Sequence, residues 1–232
     1  EDEKDTIDPN LVITNLRHQV NENLMLDGKG LQALAPRPWA DYICPKSSNF
    51  TYDVNKILRD LAEVDRLKQI QQENMANGKD DLDLVRTINA IQNRMPHTMV
   101  LHGKGGVGKS AFPIHLAGLL GFDIWDFNVG ASHVMWVGEG AANMRDTLSR
   151  IEKSSHVILR IDEYNRSMGS TGADTKGMHS AHQQVESELM NWLQNANEEN
   201  LFVKNDIFIV MTTNHKEAIT GPMLRSGRID LV

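Results

Sequence analysis

The sequence predicts a three-layer α/β domain built on a parallel β-sheet and preceded by a helical N-terminal extension. After Pro96, short apolar runs alternate with helical stretches, which is the pattern of βαβ units. A glycine-rich segment, residues 103–110, lies between the first of these runs and the next helical stretch. The chain has 232 residues, which is long enough for one such domain with an appendage but short for two independent domains.

The part of the chain before this domain divides into two segments. Residues 1–52 are polar, carry no sustained period and contain several breakers, so they predict an irregular N-terminal arm. The breakers are Pro9, Gly28, Gly30, Pro36, Pro38 and Pro45. Residues 53–96 predict a helical extension of two amphipathic helices, 53–75 and 81–95, because apolar side chains recur three or four positions apart in both.

Residues 97–232 form the predicted α/β domain. Four apolar runs predict its strands at 98–102, 123–127, 156–161 and 206–212. The stretches between them predict helices at 109–120, 141–153 and 180–196. The segment 167–177 is small, polar and glycine-rich, so we expect a mobile loop there.

The composition limits the classes of function. Hydrophobic residues make up 40% and charged residues 24%, as in an ordinary soluble protein, and no apolar run approaches the roughly 20 residues of a membrane span. For want of such a run, we expect no membrane partner. The single cysteine, Cys44, excludes an internal disulfide framework, so we expect a reducing, cytoplasmic location. A net charge of −7 offers no basic stripe for a phosphate backbone, so we expect no nucleic-acid partner.

Residues 103–110, Gly-Lys-Gly-Gly-Val-Gly-Lys-Ser, match the phosphate-binding loop (Walker A motif) in its required place between a strand and a helix. In such a loop, backbone amides and the helix N-terminus cradle phosphate oxygens. Lys109 would contact the β- and γ-phosphates of ATP, and the Ser110 hydroxyl would ligate Mg²⁺. The alternative is a glycine-rich turn that matches by chance. The predicted nucleotide-binding residues are Gly103, Lys104, Gly105, Gly106, Val107, Gly108, Lys109, Ser110 and Ala111.

Two carboxylates, Asp162 and Glu163, end the third predicted strand, at the edge where an open α/β sheet binds ligands. We expect Asp162 to hold Mg²⁺ and Glu163 to act as general base on the attacking water; the alternative is a solvated acidic pair. Arg160 lies inside the same strand, so its side chain must either leave the core or contact a carboxylate. Asn214, after the fourth strand, either orients that water or simply caps the strand end.

These motifs, together with residues 221–230 (Gly-Pro-Met-Leu-Arg-Ser-Gly-Arg-Ile-Asp), resemble the AAA+ ATPase superfamily, specifically its AAA clade. The resemblance covers about residues 97–232 and implies a P-loop NTPase fold with strand order 5-1-4-3-2. It also implies hydrolysis of ATP to ADP and phosphate by identical chains assembled in a ring, which we expect to be a hexamer. Arg225 and Arg228 would be arginine fingers for the ATP site of the neighbouring subunit; the alternative is two arginines in a surface turn. We expect the lid domain that follows Arg228 in that family to be absent, with a fifth strand only beginning at 229–232.

Residues 135–140, Met-Trp-Val-Gly-Glu-Gly, resemble the pore loop of AAA enzymes that thread proteins through the ring. An aromatic residue, an aliphatic residue and a glycine grip the polypeptide there, and here they would be Trp136, Val137 and Gly138. The alternative is that Trp136 packs into the core beneath the loop. The resemblance therefore implies remodelling, unfolding or disassembly of a protein client. Two other functions stay open: a remodeller similar to rubisco activase, and an oligomeric scaffold gated by ATP.

Overall fold

The helices and strands are taken from a computed structural model, which describes residues 8–26, 28–43, 48–129, 140–164, 176–219, 221, 223–225 and 227–232. The helices are α1 (Pro9–Leu26), α2 (Ser48–Ala76), α3 (Leu82–Arg94), α4 (Phe112–Leu120), α5 (Gly140–Glu152), α6 (Lys176–Glu198) and α7 (Leu201–Asn205). The strands are β1 (Leu31–Leu34), β2 (Thr98–His102), β3 (Asp123–Phe127), β4 (Val157–Ile161) and β5 (Ile207–Thr213). Single turns of 3-10 helix lie at Trp39–Asp41 and Lys216–Ala218.

A five-stranded, mostly parallel sheet runs through the described part of the chain in the order β1-β3-β4-β5-β2. The pairs β3–β4, β4–β5 and β5–β2 are parallel. The sheet departs from the expected all-parallel arrangement at one edge, where β1 pairs antiparallel with β3. At the other edge, Leu231 forms a parallel bridge with Met99, and the Val100 amide donates to the Leu231 carbonyl at 2.9 Å.

The N-terminal arm differs from the expected irregular chain, because residues 9–34 contribute a helix and an edge strand. Polar side chains dock α1: Asn21 is 1% exposed and donates to Asp123 Oδ2 at 2.6 Å and to the Ser155 carbonyl at 2.9 Å. The apolar side chains of α1 that are exposed are Leu11, Val12, Ile13, Leu16, Val20 and Leu26. Near its end the helix also packs Leu24 and Met25 on the core. Since polar Asn21 is buried and most apolar side chains of α1 are exposed, the usual hydrophobic pattern does not mark this helix in the sequence.

The elements predicted after Pro96 agree with the structure except at their ends. Strands β2 and β3 have the predicted bounds, and β4 and β5 each start one residue later than expected. Helix α4 begins at Phe112 rather than at 109, and it follows a turn in which the Ala111 amide donates to the Gly108 carbonyl. Helix α6 begins inside the expected loop 167–177, the rest of which lies outside the described residues.

Helices cover both faces of the sheet. Buried side chains alternate between these faces along each strand: Ile158 and Phe208 pack with α2 and α4, whereas Leu159 packs with α5 and α6 on the other face. Helix α2, which starts at Ser48 rather than at 53, continues beyond the sheet and packs on α3 through a smaller apolar cluster. No helix among the described residues is long and apolar enough to cross a membrane.

Candidate nucleotide-binding site

The glycine-rich loop at 103–110 connects the carboxyl end of β2 to α4. Gly106 (φ +79°) and Gly108 (φ +90°) adopt the left-handed backbone conformation that side chains disfavour. Nothing lies within 4 Å of the position that a Cβ would take at Gly106, so the backbone angle, not crowding, requires glycine there. The loop therefore has the tight turn that a phosphate-binding loop needs before a helix N-terminus.

The Lys109 ammonium lies inside this loop, where it donates to the Gly103 carbonyl at 2.9 Å and to the Lys104 carbonyl at 2.7 Å. It also donates to Asn214 Oδ1 at 2.8 Å, so the ends of β2 and β5 meet at this side chain. Partial burial lowers the pKa of Lys109 from its ordinary value, while the two carboxylates after β4 oppose that shift. The structure thus brings two residues predicted from separate motifs into contact.

Asp162 forms the second part of the site, next to the loop serine. Ser110 Oγ donates to Asp162 Oδ1 at 2.7 Å, and the Thr212 hydroxyl donates to the same oxygen. Burial alone would raise the pKa of Asp162, but these two hydrogen bonds and the positive charge of Arg160 outweigh burial and lower the pKa below its usual value. The carboxylate is therefore ionised at neutral pH.

The oxygens of Ser110, Asp162 and Thr212 converge, and oxygen is the ligand atom that Mg²⁺ prefers. Within the described part of the chain, no group of three or more His, Cys, Asp or Glu side chains is arranged to hold a metal ion. A nucleotide-bound Mg²⁺ needs no such cage, because phosphates and water complete its coordination. Ser110 and Asp162 therefore fit this ion. Sequence reasoning missed Thr212, whose signal is the Thr-Thr-Asn run at the end of β5.

Glu163 follows β4 directly, in an unusual backbone conformation. Its φ of +47° lies in the left-handed region, which costs a residue with a side chain on the order of 1–3 kcal/mol. Its amide donates to the Thr212 hydroxyl at 3.1 Å, so the end of β4 is tied to β5. Backbone strain of this kind concentrates at functional sites, and the half-buried Glu163 lies next to Asp162 in the chain.

Arg160 takes one of the two alternatives that the sequence left open, because its side chain contacts a carboxylate. Its Nε donates to Asp126 Oδ1 at 2.6 Å, and Asp126 is the residue opposite Arg160 in the β3–β4 register. Its Nη1 donates to the Ser110 carbonyl at 3.1 Å. The guanidinium therefore links the phosphate-binding loop to two strands of the sheet.

The two predicted arginine fingers differ in exposure. Arg225 is exposed to solvent. Arg228 is 8% exposed, and its Nη2 donates to Gln194 Oε1 on α6 at 3.1 Å. The predicted pore loop, residues 136–138, lies outside the described residues.

A cavity of about 420 Å³ opens beside the phosphate-binding loop. Tyr42, Phe50 and Val54 line it from the N-terminal side of the chain, and Lys104 and Val107 line it from the loop. A mainly apolar wall with a few polar groups is typical of small-molecule sites. The sequence did not indicate the aromatic part of this wall, because Tyr42 and Phe50 lie near the loop only in the folded chain.

Comparison with known proteins assigns this site to a family. The sequence profile of the "ATPase family associated with various cellular activities (AAA)" matches residues 99–232, more than half of the chain. The matched part includes the loop, both carboxylates after β4 and both predicted arginine fingers. The chain therefore belongs to the AAA family of ATPases, whose members bind nucleotide and hydrolyse ATP.

Several similar proteins are ATP-dependent zinc metalloproteases named FtsH. The chain is 27% identical to FtsH 3 of Symbiobacterium thermophilum over 171 residues, which are 74% of the chain and 26% of that protein. It is 28% identical to FtsH of Alkalihalophilus pseudofirmus over 172 residues, 74% of the chain and 24% of that protein. It is 26% identical to FtsH of Borreliella burgdorferi over 185 residues, which are 80% of the chain and 28% of that protein. The chain spans about a quarter of the length of these relatives.

Proposed function

We propose that this site binds ATP with Mg²⁺ and hydrolyses it to ADP and phosphate. The observation that carries the proposal is the 2.7 Å contact between Ser110 and Asp162, beside the Lys109 ammonium that two loop carbonyls hold. Lys109 binds the phosphates, and Ser110 and Asp162 hold the metal ion, which supplies charge neutralisation when bound. Glu163 is the general base, and Asn214 orients the attacking water.

The present contacts of Lys109 prepare it for this role. Its ammonium is held at the centre of the loop by neutral carbonyl oxygens. Phosphate oxygens are charged acceptors and form stronger hydrogen bonds with an ammonium than carbonyls do. A bound triphosphate therefore displaces these contacts at little cost.

We infer that the adenine base occupies the cavity of about 420 Å³ beside the loop. Its wall combines the aromatic rings of Tyr42 and Phe50 with aliphatic side chains, which suits a flat heteroaromatic ring. Asp53 also lines the cavity and is an acceptor for an exocyclic amino group. The N-terminal arm thus contributes to nucleotide binding.

Two substitutions separate binding from hydrolysis. We expect Lys109→Ala to abolish binding of a fluorescent ATP derivative. Glu163→Gln keeps binding but lowers turnover by about 10² to 10⁴-fold, the usual contribution of a general base. Both quantities are measured on the same preparations, with Glu63→Gln on the exposed face of α2 as the control that changes neither. Normal turnover by Glu163→Gln would show that another group activates the water.

We propose further that identical chains form a ring, a hexamer by the family resemblance, in which Arg225 and Arg228 act on the neighbouring ATP site. AAA ATPases generally form oligomers, and the exposed Arg225 is accessible to a neighbour. Arg228 must first leave Gln194, so the two arginines differ in what assembly requires of them. An arginine supplied in this way contributes about 10³ to 10⁵ in rate in well-studied NTPases.

A mixing experiment tests the shared site. Lys109→Ala and Arg225→Ala chains are each expected to be inactive alone. Their mixture regains part of the turnover, because some interfaces then combine an intact loop from one chain with an intact arginine from the next. Sedimentation confirms that each preparation assembles. A mixture as inactive as its components contradicts the action of Arg225 on a neighbour.

We propose that the ring uses hydrolysis to remodel a protein client, gripped by Trp136, Val137 and Gly138. AAA ATPases generally act on proteins, and the FtsH relatives are ATP-dependent proteases by name, which supports this proposal. We also propose a cytoplasmic site of action, because a single cysteine suits a reducing compartment.

The client proposal is tested by the ratio of ATP turnover with and without an unfolded protein. We expect the client to stimulate the native chain and not Trp136→Ala. Equal stimulation of both contradicts gripping by Trp136 and favours a remodeller similar to rubisco activase. The absence of any stimulation favours a scaffold gated by ATP.

A further inference from the structure

The first turn of α4 has one backbone donor fewer than usual, because Pro113 carries no N–H group. The next amide, that of Ile114, donates to the Ala111 carbonyl at 3.1 Å. In a helix, the carbonyl of Ser110 would receive its donor from three or four residues further on, and these positions are Pro113 and Ile114. One is a proline and the other is engaged elsewhere.

Arg160 donates to this carbonyl from the sheet. Its Nη1 lies 3.1 Å from the Ser110 oxygen, while its Nε lies 2.6 Å from Asp126 Oδ1. The Arg160 side chain is 14% exposed and that of Asp126 is 25% exposed. Since the guanidinium is planar and makes contacts at two of its nitrogens, its orientation is well defined.

We propose that Arg160 is a positioning residue for the nucleotide-bound metal: it replaces the missing helix donor and holds Ser110 with its hydroxyl against Asp162. Three contacts in series support this: Asp126 anchors Arg160, Arg160 holds the Ser110 carbonyl, and the Ser110 hydroxyl meets Asp162 at 2.7 Å. The inference rests on the proposed role of Ser110 as a metal ligand, and Arg160 acts through that residue.

The ion pair with Asp126 also explains why the cationic side chain of Arg160 can lie close to the proposed Mg²⁺ site. An isolated guanidinium there would repel Mg²⁺, and its desolvation would be costly. The carboxylate of Asp126 balances the charge of Arg160 at 2.6 Å. Arg160 still favours the ionised form of Asp162, but with its charge balanced in this way its contribution at the metal site is mainly geometric.

The test measures the affinity for a fluorescent ATP derivative with Mg²⁺ and with EDTA, so that the ratio reports the metal alone. Arg160→Met removes the donors and keeps most of the volume. We expect the ratio to fall about tenfold, the effect of losing one hydrogen bond from a charged group, while the affinity in EDTA changes less than about twofold. Ser110→Ala should lower the ratio of the two affinities in the same way. Arg66→Met, at an exposed ion pair on α2, is the control that keeps it.

A second substitution provides a rescue. Pro113→Ala restores an N–H group three residues after Ser110. Ile114 likewise follows Ala111 by three residues, and its amide donates to the Ala111 carbonyl. In the double variant Arg160→Met/Pro113→Ala, we expect this amide to donate to the Ser110 carbonyl. The ratio of the affinity in Mg²⁺ to that in EDTA should then be about threefold or more higher than in Arg160→Met alone. A role of Arg160 confined to packing or charge would not respond to a backbone donor on another element.

The outcomes distinguish this inference from the proposed function. If Arg160→Met keeps the full ratio while Ser110→Ala loses it, the role of Arg160 is overturned and Ser110 remains a metal ligand. If neither variant loses it, both proposals are overturned. Equal losses of affinity in Mg²⁺ and in EDTA, or a fall in the ratio that Pro113→Ala does not reverse, also overturn the positioning role.

Circular dichroism checks that each variant folds. If Arg160→Met unfolds, Asp126→Asn takes its place, because it weakens the anchor but keeps Arg160.

Discussion

The Lys109 ammonium lies 2.8 Å from Asn214 Oδ1, although 105 positions separate the two residues in the chain. Parallel pairing of β2 with β5 makes this contact possible, because it holds the carboxyl ends of both strands at the same edge of the sheet. His102 and Thr213 are register partners at that edge. The site is therefore assembled by strand pairing, and its parts are expected to respond separately to substitution.

Asn214→Ala tests the contact with Lys109. The substitution removes the acceptor at the end of β5 and leaves the loop carbonyls that hold the ammonium. We expect turnover to fall about tenfold to hundredfold, because the attacking water loses its orientation, while ATP affinity changes little. Steady-state turnover and equilibrium binding measure the two effects. A fall in affinity with unchanged turnover would show that Asn214 serves only to position Lys109.

Thr212→Val tests the acid-base state of Asp162 in the nucleotide-free protein. Because the folded protein lowers the pKa of Asp162, ionisation contributes stability above the unfolded pKa, and this stability is lost as the pH falls through the folded pKa. The valine removes one hydrogen bond that lowers the pKa. We therefore expect the free energy of unfolding to change less between about pH 7 and about pH 3 in the variant than in the native chain.

Urea unfolding at both pH values measures this difference. Thr213→Val is the matched control, because the Thr213 hydroxyl donates to the His215 carbonyl at 3.2 Å and not to the carboxylate. The control should keep the pH dependence of the native chain. If both valine variants show the native pH dependence, Thr212 does not lower the pKa of Asp162.

Tyr42→Ala tests the cavity beside the loop. If the cavity holds the base, loss of the aromatic wall lowers ATP affinity about tenfold, an effect in the range of base stacking on an aromatic side chain. Inorganic tripolyphosphate has no base, so its affinity for the loop should not change. Calorimetric titration of both ligands provides the comparison. Equal losses for the two ligands would mean that Tyr42 supports the loop and not the base.

Asn21→Ala tests the docking of α1 through polar contacts. The substitution leaves Asp123 Oδ2 and the Ser155 carbonyl, both half-buried, without this donor, which costs about 1 kcal/mol, the low end of the range for fully buried groups. We expect a lower free energy of unfolding and faster amide exchange in α1. The exposed Asn23→Ala in the same helix is the matched control and should change neither. Native stability and exchange in Asn21→Ala would show that other contacts dock the helix.

The local chemistry of the site was readable from the sequence, because each motif needs particular residues at fixed spacings in one stretch of chain. The loop requires glycine where the backbone turns, as at Gly106 and Gly108, and a lysine and serine before the helix. Short, mainly apolar segments likewise predicted β2 and β3 with their observed bounds, because most of the side chains of these strands are buried.

Contacts between distant parts of the chain could not be read in this way. The partner of Arg160 depends on the register that places Asp126 opposite it, and the role of Thr212 depends on β5 lying next to β4. The sequence also failed to identify α1, because this helix buries the polar Asn21 against Asp123 and leaves most of its apolar side chains exposed.

The sequence by itself determined the type of site, a nucleotide-binding site. Its parts are a phosphate-binding loop, two carboxylates after an apolar strand and a polar strand end, and each is specified by local backbone and side-chain requirements. The tertiary structure alone decided which oxygens meet at Ser110, which donor holds its carbonyl and which aromatic rings line the neighbouring cavity. The reason is physical: these relationships arise from strand pairing and side-chain packing across many residues, and no local pattern encodes the partner of a hydrogen bond 50 positions away.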